Sequence, residues 1–357
     1  MNVGILSVGS YLPPEIRTND WWPQHTVDTW RDRFQKQRER ALFERPLDTP
    51  GAQLVQKVLS QLTDDPFQGA QQRHVMPKGM TAADMELSSA KLALERCNID
   101  PQEIGLVLSY TMCPDYINAP SGCRTHDELG LSRNCITMGV DAVCNSFLMQ
   151  MTLAEDMIKA GRVKYALLLQ TSAITRLKGS GEPYDAWFGD GSTAVVVGAV
   201  EEGLGIIATT HRTDGTLYQA LLCGVPGGHW SDSNAAIAYS GSREQMNKMV
   251  FTTPDHGKEV LDDAFSRTGT KPIDVDFYAS HQAFRWFRSV TQEHIGMSRA
   301  KSVDTFPWAG TLSAANLPLV LDVGHRERLL KKNDLVAMYQ GGTGTVFSGM
   351  LMRWSID

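Results

Sequence analysis

Cys144 is the residue whose type and position most favour chemistry. It follows a predicted strand at residues 136–140 and precedes an amphipathic segment that ends at Gly161, so it lies at the start of a predicted helix. The positive end of a helix dipole favours the thiolate form of a cysteine and makes the sulfur a better nucleophile. The pattern is compatible with a catalytic nucleophile, and also with the buried structural thiol that is the commoner role of cysteine.

His281 occupies a comparable position, at the end of a predicted strand at residues 275–280 and before a predicted helix. A histidine there can act as a base or a hydrogen-bond donor near neutral pH, and sites in α/β proteins gather at the carboxyl ends of strands. The alternative is a histidine that caps the helix or packs in the core. The nine histidines contain no H-E-x-x-H spacing and the six cysteines no C-x-x-C pair, so we expect no metal site. Most of the other cysteines are interpreted as small core residues.

Two glycine-rich segments, at residues 188–192 and 341–344, lack the strand-before and helix-after context of a phosphate-binding loop. Both are therefore interpreted as tight turns. Asp190, in the first, is expected to hold its turn rather than to take part in chemistry. The second contains Gly342, Thr343 and Gly344, and its backbone N–H groups are suited to bind an oxyanion.

The elements that must position these residues alternate between strand and helix, which indicates the α/β class. Short apolar runs predict buried strands at residues 2–9, 104–111, 165–171, 192–199, 275–280 and 335–339. A helix is predicted from the capping-box sequence T-A-A-D at 81–84 and the apolar spacing that follows it, which ends at Cys97. Further helices are predicted after Cys144, after His281 and near Ser313.

The composition limits the classes of protein that this chain can form. It has 357 residues, 42% of them hydrophobic, and a formal charge of −6 without any block of like charges. This balance excludes a disordered chain and disfavours a nucleic-acid or anionic-membrane partner. The apolar runs are too short to cross a bilayer and the first residues lack the features of a signal peptide, so we expect a cytoplasmic protein. The length predicts about two folding units, which we divide into residues 1–200 and 201–357, with an insertion at 20–72.

The motifs, in their order along the chain, resemble the β-ketoacyl-[acyl-carrier-protein] synthase III family of the thiolase superfamily. They are G-S-Y-L-P at 9–13, C-P-D-Y at 113–116, the segment around Cys144, V-K-Y-A at 163–166, F-G-D-G at 188–191, H-Q-A at 281–283, S-A-A at 313–315 and the glycine-rich end. The resemblance covers nearly the whole chain except residues 20–72. It implies a thiolase-like α/β fold with five αβαβα layers, built from two βαβαβαββ halves and usually assembled as a homodimer.

The resemblance also implies roles for individual residues. By position, Cys144 becomes the nucleophile that takes an acyl group from acyl-coenzyme A or an acyl carrier protein, with no other cofactor. His281 becomes the catalytic histidine, and the backbone N–H groups of Cys144 and Thr343 form the oxyanion hole. Gly342 and Gly344 would then line the substrate. Arg176 is a candidate contact for the donor's phosphates, with an ordinary surface arginine as the alternative.

Two positions depart from the family pattern. The family's catalytic asparagine, which helps to decarboxylate a malonyl thioester, is replaced by Thr311. Losing an oxyanion donor typically lowers a rate about 10²–10³-fold, so efficient decarboxylation is not expected. Asn316, which is interpreted as a helix-surface residue, is the alternative donor. Phe284 replaces an asparagine that binds the pantetheine arm in the family, which favours an unusual donor or acceptor.

These residues lead us to expect an acyltransferase of secondary metabolism that loads Cys144 and passes the acyl group to a small-molecule or carrier-protein nucleophile without decarboxylation. His281 would act as general base and Thr311 would take the place of the asparagine. One alternative is a condensing enzyme that forms a carbon–carbon bond. Another is a non-catalytic partner subunit.

Overall fold

The structure is a computed structural model that describes residues 1–43, 48–61, 65–229, 231 and 236–357. Its strands are β1 (Asn2–Tyr11), β2 (Glu15–Thr18), β3 (Gln72–Val75), β4 (Ile104–Met112), β5 (Ile136–Gly139), β6 (Tyr165–Ser172), β7 (Gly191–Val200), β8 (Gly205–Thr213), β9 (Leu222–Gly224), β10 (Ile237–Tyr239), β11 (Phe277–Ser280), β12 (Leu335–Gln340) and β13 (Val346–Arg353). Its helices are α1 (Gln24–Phe43), α2 (Pro50–Gln61), α3 (Ala82–Cys97), α4 (Ser121–Glu128), α5 (Ser146–Lys159), α6 (Arg243–Thr268), α7 (Phe287–Ile295), α8 (Phe306–Ala309) and α9 (Asn316–Arg326). The six strands predicted from apolar runs are all present.

Two mixed sheets form the framework. The first has the order β1-β7-β6-β4-β5 and the second the order β11-β12-β13-β8. Each sheet contains a strand with one parallel and one antiparallel neighbour, which is β6 in the first sheet and β12 in the second. The consecutive strands β7 and β8 belong to different sheets. The division of the chain at residues 200 and 201 stays a prediction, and it falls between these two strands.

The helices complete five layers. α5 and α9 lie between the sheets, where Phe147, Met151 and Leu321 pack against apolar residues of both. α3 covers the outer face of the first sheet, and α6 and α7 cover that of the second. The apolar face predicted for α5, from Phe147 to Ile158, is buried throughout. The αβαβα layering implied by the resemblance is confirmed.

Two details differ from the expected pattern. The third strand of the second half is reduced to a single bridge between Phe277 and Lys301. Helix α6, 26 residues long, is absent from the sequence prediction, because Pro254 interrupts its interior. Packing of Val260 and Leu261 on the second sheet stabilises the helix in spite of the proline. The capping box of α3 is formed as predicted, with reciprocal bonds between Thr81 and Asp84.

The segment 20–72 contributes α1 and α2, apart from residues 44–47 and 62–64, which lie outside the described residues. Helices on the surface were expected here, and a purely solvated insertion was the alternative. The second interpretation is wrong, because α2 buries Ala52 and Val55 against Trp286 and its neighbours. Asp255 of α6 fixes the start of α2 by accepting a hydrogen bond of 3.0 Å from the N–H of Gly51. Within the described part of the chain, none of the helices has the length and apolar character that crossing a membrane requires.

Candidate active site

Two sharp turns face each other at the centre of the molecule. Cys144 lies in the turn Val143–Asn145, which leads directly into α5, and Ser313 begins the turn Ser313–Ala315, which leads into α9. Val143 has a φ of 49° and Ser313 a φ of 53°. Positive φ is strained for any residue with a side chain, and most of all for a β-branched valine. Both turns therefore hold unfavourable backbone conformations that the buried helices behind them must stabilise.

The thiol of Cys144 is surrounded by hydroxyl groups and the glycine-rich turn. The Ser313 hydroxyl donates to Cys144 Sγ at 3.7 Å, and Thr343 Oγ1 lies 3.9 Å from the same sulfur. Gly342 has a φ of 150°, and a Cβ added to it would lie 3.7 Å from the sulfur. A Cβ on Gly344 would come within 2.3 Å of the carbonyl oxygen of Ala142. Only glycine at 344 lets the turn approach the nucleophile segment this closely.

His281 completes the group around the sulfur. It is buried at the end of β11, where its N–H donates to the Tyr339 carbonyl at 3.0 Å. Burial acts to raise the pKa of the Cys144 thiol, but the charge of His281 and hydrogen bonds from His281, Ser313 and Thr343 outweigh it. The pKa of Cys144 is therefore below its ordinary value, as a nucleophilic cysteine requires. The structure thus brings Cys144, His281 and the 341–344 turn together, as the sequence predicted.

Thr311 is directed elsewhere. Its hydroxyl donates to Asn316 Oδ1 at 3.2 Å, and the same oxygen accepts from the N–H of Leu312 at 2.8 Å. Asn316 is fully buried at the start of α9, so its interpretation as a helix-surface residue is wrong. Its amide closes the 310–312 segment and offers its oxygen to that segment. The donor at Thr311 is therefore occupied by a local contact.

The sequence of this chain is similar to those of known proteins. The family model described as 3-oxoacyl-[acyl-carrier-protein (ACP)] synthase III matches residues 138–215, and the model of its C terminal matches residues 265–354. A curated relative, the beta-ketoacyl-[acyl-carrier-protein] synthase III of Thiobacillus denitrificans, is 28% identical over 351 residues, which is 98% of each chain. The chain is thus similar to the 3-oxoacyl-[acyl-carrier-protein] synthase III family in both halves of its sequence. The similarity is to enzymes of the ketosynthase III type.

Solved structures agree with the ketosynthase III fold. FabH of Pseudomonas aeruginosa, a 3-oxoacyl-(acyl carrier protein) synthase III, superposes with a TM-score of 0.76 at 21% identity, over 99% of this chain and 98% of its own. OleA of Xanthomonas campestris, solved with bound lauric acid and lauroyl-CoA, has a TM-score of 0.74 at 19% identity and 99% coverage of both chains. At these identities the likeness establishes the fold.

Phe284, Arg176 and Asp190 are the remaining candidate residues, and each makes contacts of its own. Phe284 stacks on Trp286 at 5.2 Å between ring centroids and meets Trp187 edge-on at 5.8 Å. Arg176 pairs with Asp115 at 3.0 Å, so its charge is compensated within the protein. Asp190 is buried and accepts from the N–H groups of Met76 and Thr175, which holds its turn.

Three residues of the site were missed at the level of sequence. Ser313 lies in the S-A-A motif, and its hydroxyl contacts the nucleophile. Tyr110 is buried behind it, with its hydroxyl 3.3 Å from Ser313 Oγ. Burial and the nearby charge of Cys144 raise the pKa of Tyr110 well above its usual value. Asn145, next to the nucleophile, is fully buried. Tyr110 lies within a predicted strand and carries no local signal of its own. Asn145 adjoins Cys144 in a recognised motif, but its position alone does not show what its side chain contacts.

The cysteines also differ from the prediction. Cys123 and Cys223 are exposed, so the interpretation as core residues is wrong for these two. Cys97 and Cys135 are partly buried and pack against the apolar core around α3. Cys113 and Cys223 are hydrogen-bonded to each other, which is the main cause that raises the pKa of Cys113 and lowers that of Cys223.

Proposed function

We propose that this chain is an acyltransferase of the ketosynthase III type that uses Cys144 as nucleophile and His281 as acid and base. The Cys144 thiolate attacks the thioester carbonyl of an acyl-coenzyme A or acyl carrier protein. A new S–C bond forms, and the donor's thiol leaves with a proton from His281. An acceptor with a hydroxyl, amine or thiol then attacks the acyl-enzyme, His281 takes its proton, and Cys144 leaves as thiolate.

The proposal rests on one arrangement, the contact of Cys144 with His281 and with the glycine-rich turn. This arrangement supports the first half-reaction. Cys144 has a lowered pKa and is in contact with His281, and Thr343 Oγ1 of the glycine-rich turn lies 3.9 Å from its sulfur. The backbone N–H groups of Cys144 and Thr343 are our candidates for the oxyanion hole. Donors fixed in a partly buried site stabilise the charge that develops on the thioester oxygen.

The proposed absence of decarboxylation rests on Thr311. Decarboxylation of a malonyl thioester leaves an enolate, whose oxygen needs strong hydrogen-bond donors. The Thr311 hydroxyl donates to Asn316 Oδ1 at 3.2 Å, and a threonine has only one hydrogen to give. In the family, a histidine and an asparagine donate hydrogen bonds to the enolate. Of these two donors, only the histidine, His281, would then remain.

A condensing enzyme is the second candidate, and a specific contact favours it. The Ser313 hydroxyl lies at the sulfur and is backed by the Tyr110 hydroxyl. A Ser313 donor that turns from the sulfur to an enolate oxygen would replace the missing amide. A non-catalytic partner subunit is the third candidate, and the lowered pKa of Cys144 argues against it.

The entrance supports an apolar or aromatic contact with the substrate. The stacked rings of Phe284 and Trp286 are packed under α2, which contributes Val55 and its neighbours. This aromatic group stands where the family places an amide for the pantetheine arm. We propose that Phe284 selects the donor or acceptor by shape, and that Gly342 and Gly344 line the acyl group.

The assembly is proposed to be a homodimer, as in the family. β5 is the edge strand of the first sheet, and its side chains Ile136 and Met138 are exposed. Tyr116 and Ile117, which follow the neighbouring strand β4, are about 70% exposed. Large apolar residues along an unpaired edge are typical of a subunit contact. We also propose a cytoplasmic role in secondary metabolism, on the basis of the two departures at Thr311 and Phe284.

Intact mass measurement tests the first half-reaction. The protein is incubated with acetyl-, octanoyl- and malonyl-coenzyme A and with the matching acyl carrier proteins. We expect a covalent acyl adduct with at least one donor, lost in Cys144→Ala. An adduct that survives Cys144→Ala would remove the nucleophile from its role, and no adduct with any donor would favour the partner subunit.

Release of carbon dioxide decides between transfer and condensation. After acylation, malonyl-coenzyme A is added and carbon dioxide is measured together with any new ketone product. We expect slow release and no carbon–carbon product. Rapid release with a β-keto product would establish the condensing enzyme instead.

A further inference from the structure

A chain of buried hydrogen bonds runs behind the nucleophile and belongs to none of the roles above. Asn145 Nδ2 donates to Ser348 Oγ at 2.8 Å, and Ser348 Oγ lies 2.6 Å from His211 Nδ1. His211 Nε2 lies 3.2 Å from Thr152 Oγ1, whose hydroxyl donates to the Leu148 carbonyl at 2.9 Å. Asn145 and Ser348 are fully buried.

The hydrogen bond that Thr152 donates, at the end of this series, fixes which atom donates in each of the other hydrogen bonds. The Thr152 hydroxyl hydrogen is used by the Leu148 carbonyl, so Thr152 Oγ1 accepts from a proton on His211 Nε2. A neutral imidazole then has a bare Nδ1, which accepts from the Ser348 hydroxyl, and Ser348 in turn accepts from Asn145. Burial lowers the pKa of His211, which is consistent with the neutral ring. A protonated ring would give Nδ1 a hydrogen and force the hydroxyl hydrogen of Ser348 to turn away from it, because the Ser348 oxygen would then accept from both His211 and Asn145.

The chain of bonds joins elements from both halves of the molecule. Asn145 is adjacent to Cys144, and Thr152 lies two turns further along α5. His211 and Ser348 are paired neighbours on β8 and β13. β13 begins directly after the glycine-rich turn that carries Thr343. The hydrogen bonds therefore close a ring from the nucleophile turn, through α5 and the second sheet, to the strand that anchors the other side of the site.

We propose that Asn145, Ser348 and His211 are positioning residues that hold the Cys144 turn and the Thr343 turn at the separation an oxyanion hole requires. This inference rests on the proposed function, since it assumes that both backbone N–H groups bind the same oxygen. We call these three residues the clamp. The clamp affects binding of the thioester oxygen and leaves the reactivity of the Cys144 thiol unchanged. A shift of about 1 Å in such a site lowers a rate by up to about 10²-fold, so loss of the clamp slows acylation by about 10-fold or more.

Two reactions of the same sulfur separate positioning from folding. Acylation by octanoyl-coenzyme A passes through an oxyanion, whereas alkylation by iodoacetamide displaces iodide at carbon and forms none. Both rates are measured on full-length Asn145→Ala, Ser348→Ala and His211→Leu. We expect acylation to fall and alkylation of Cys144 to stay within about twofold of the unmodified protein, because a thiolate alone suffices for it.

Matched variants control for the loss of a buried polar group. Thr210→Val removes an equally buried hydroxyl next to His211, one that donates to the Val260 carbonyl at 2.6 Å and does not touch the nucleophile turn. It should leave both rates unchanged. His211→Asn keeps an acceptor for Ser348 and should retain more acylation than His211→Leu.

The possible outcomes separate a failure of the clamp proposal from a failure of the proposed acyltransferase function. Equal loss of acylation and alkylation in the clamp variants would show a role in folding only, and unchanged acylation would show no role; either result overturns the clamp. If the unmodified protein is alkylated at Cys144 but acylated by no donor, the proposed function fails instead. Equal acylation in His211→Asn and His211→Leu would remove His211 from the chain of positioning bonds.

Discussion

Glu86 is a buried acid whose ionisation the fold must tolerate. It lies on α3, is fully buried, and accepts hydrogen bonds from Ser121 at 2.6 Å and Thr125 at 3.1 Å. The hydroxyls of Thr111 and Thr171 lie further away, at 3.4 and 3.5 Å. Desolvation is the largest cause, and it raises the pKa of Glu86 from 4.5 to about 7 in spite of the hydroxyl donors. We predict that Glu86→Gln stabilises the protein at alkaline pH.

The sign and size of the effect follow from the raised pKa. Between pH 4.5 and about 7 the folded state keeps a proton on Glu86 that the unfolded chain has lost, so stability falls as pH rises through this interval. A pKa shift of this size destabilises the folded state by roughly 3 kcal/mol once Glu86 is charged. This loss of stability is fully present above pH 7 and absent below pH 4.5. Glutamine has no charge to desolvate and can still accept from the hydroxyls, so the variant removes the dependence.

Urea unfolding at pH 5 and pH 8, at fixed protein concentration, measures the prediction. Glu86→Gln should change the free energy of unfolding little at pH 5 and raise it by about 2–3 kcal/mol at pH 8. Glu95, on the exposed side of the same helix, provides the control, and Glu95→Gln should leave the pH dependence unaltered. An equal change at both pH values would refute the reasoning, because it would mean that Glu86 is already charged at pH 5 or still neutral at pH 8.

Three further changes test the site and the assembly. Thr311→Asn should raise carbon dioxide release from malonyl-coenzyme A about 10-fold or more, and an unchanged rate would mean that position 311 does not reach the substrate. Ser313→Ala removes a donor that lowers the pKa of Cys144, so the pH profile of iodoacetamide alkylation should move up by about one unit or less; a shift downward would contradict the contact. Met138→Lys places a charge on the exposed edge of β5, and we expect sedimentation to show a dimer for the unmodified chain and a monomer for the variant.

The parts of the fold that follow from sequence are those with a strong local signal. The strand at 165–172 and the helix after Cys144 are continuous apolar or periodic patterns, and burial follows the period. β8 was missed because its sequence G-I-I-A-T-T-H-R-T mixes polar residues into a strand that pairs with β13. α6 was missed because the stabilisation of its second half comes from contacts with β13 and not from its own sequence.

The site shows the same limit at the level of single residues. Cys144, His281 and the 341–344 turn were predicted because each lies at the end of an element, where local pattern and family position agree. The polar chain from Asn145 to His211 was not, since its members lie far apart along the sequence and meet only when two sheets and a central helix are packed together. Long-range hydrogen bonds between buried side chains leave no periodic signal.

The direction of a hydroxyl group carries information that residue position does not. Family position assigns the donor role to Thr311, whereas the contacts direct its hydroxyl to Asn316 and place the Ser313 hydroxyl at the sulfur. Both residues lie on one short segment, but Ser313 is at positive φ in the turn that faces Cys144, and Thr311 precedes that turn. With threonine instead of asparagine at position 311, a hydrogen-bond donor is lost on one side of the substrate. A weaker donor, the Ser313 hydroxyl, remains on the other side. Ser313 is suited to stabilise a thiolate between turnovers, which favours acyl transfer, and the carbon dioxide measurement shows whether it also suffices for an enolate.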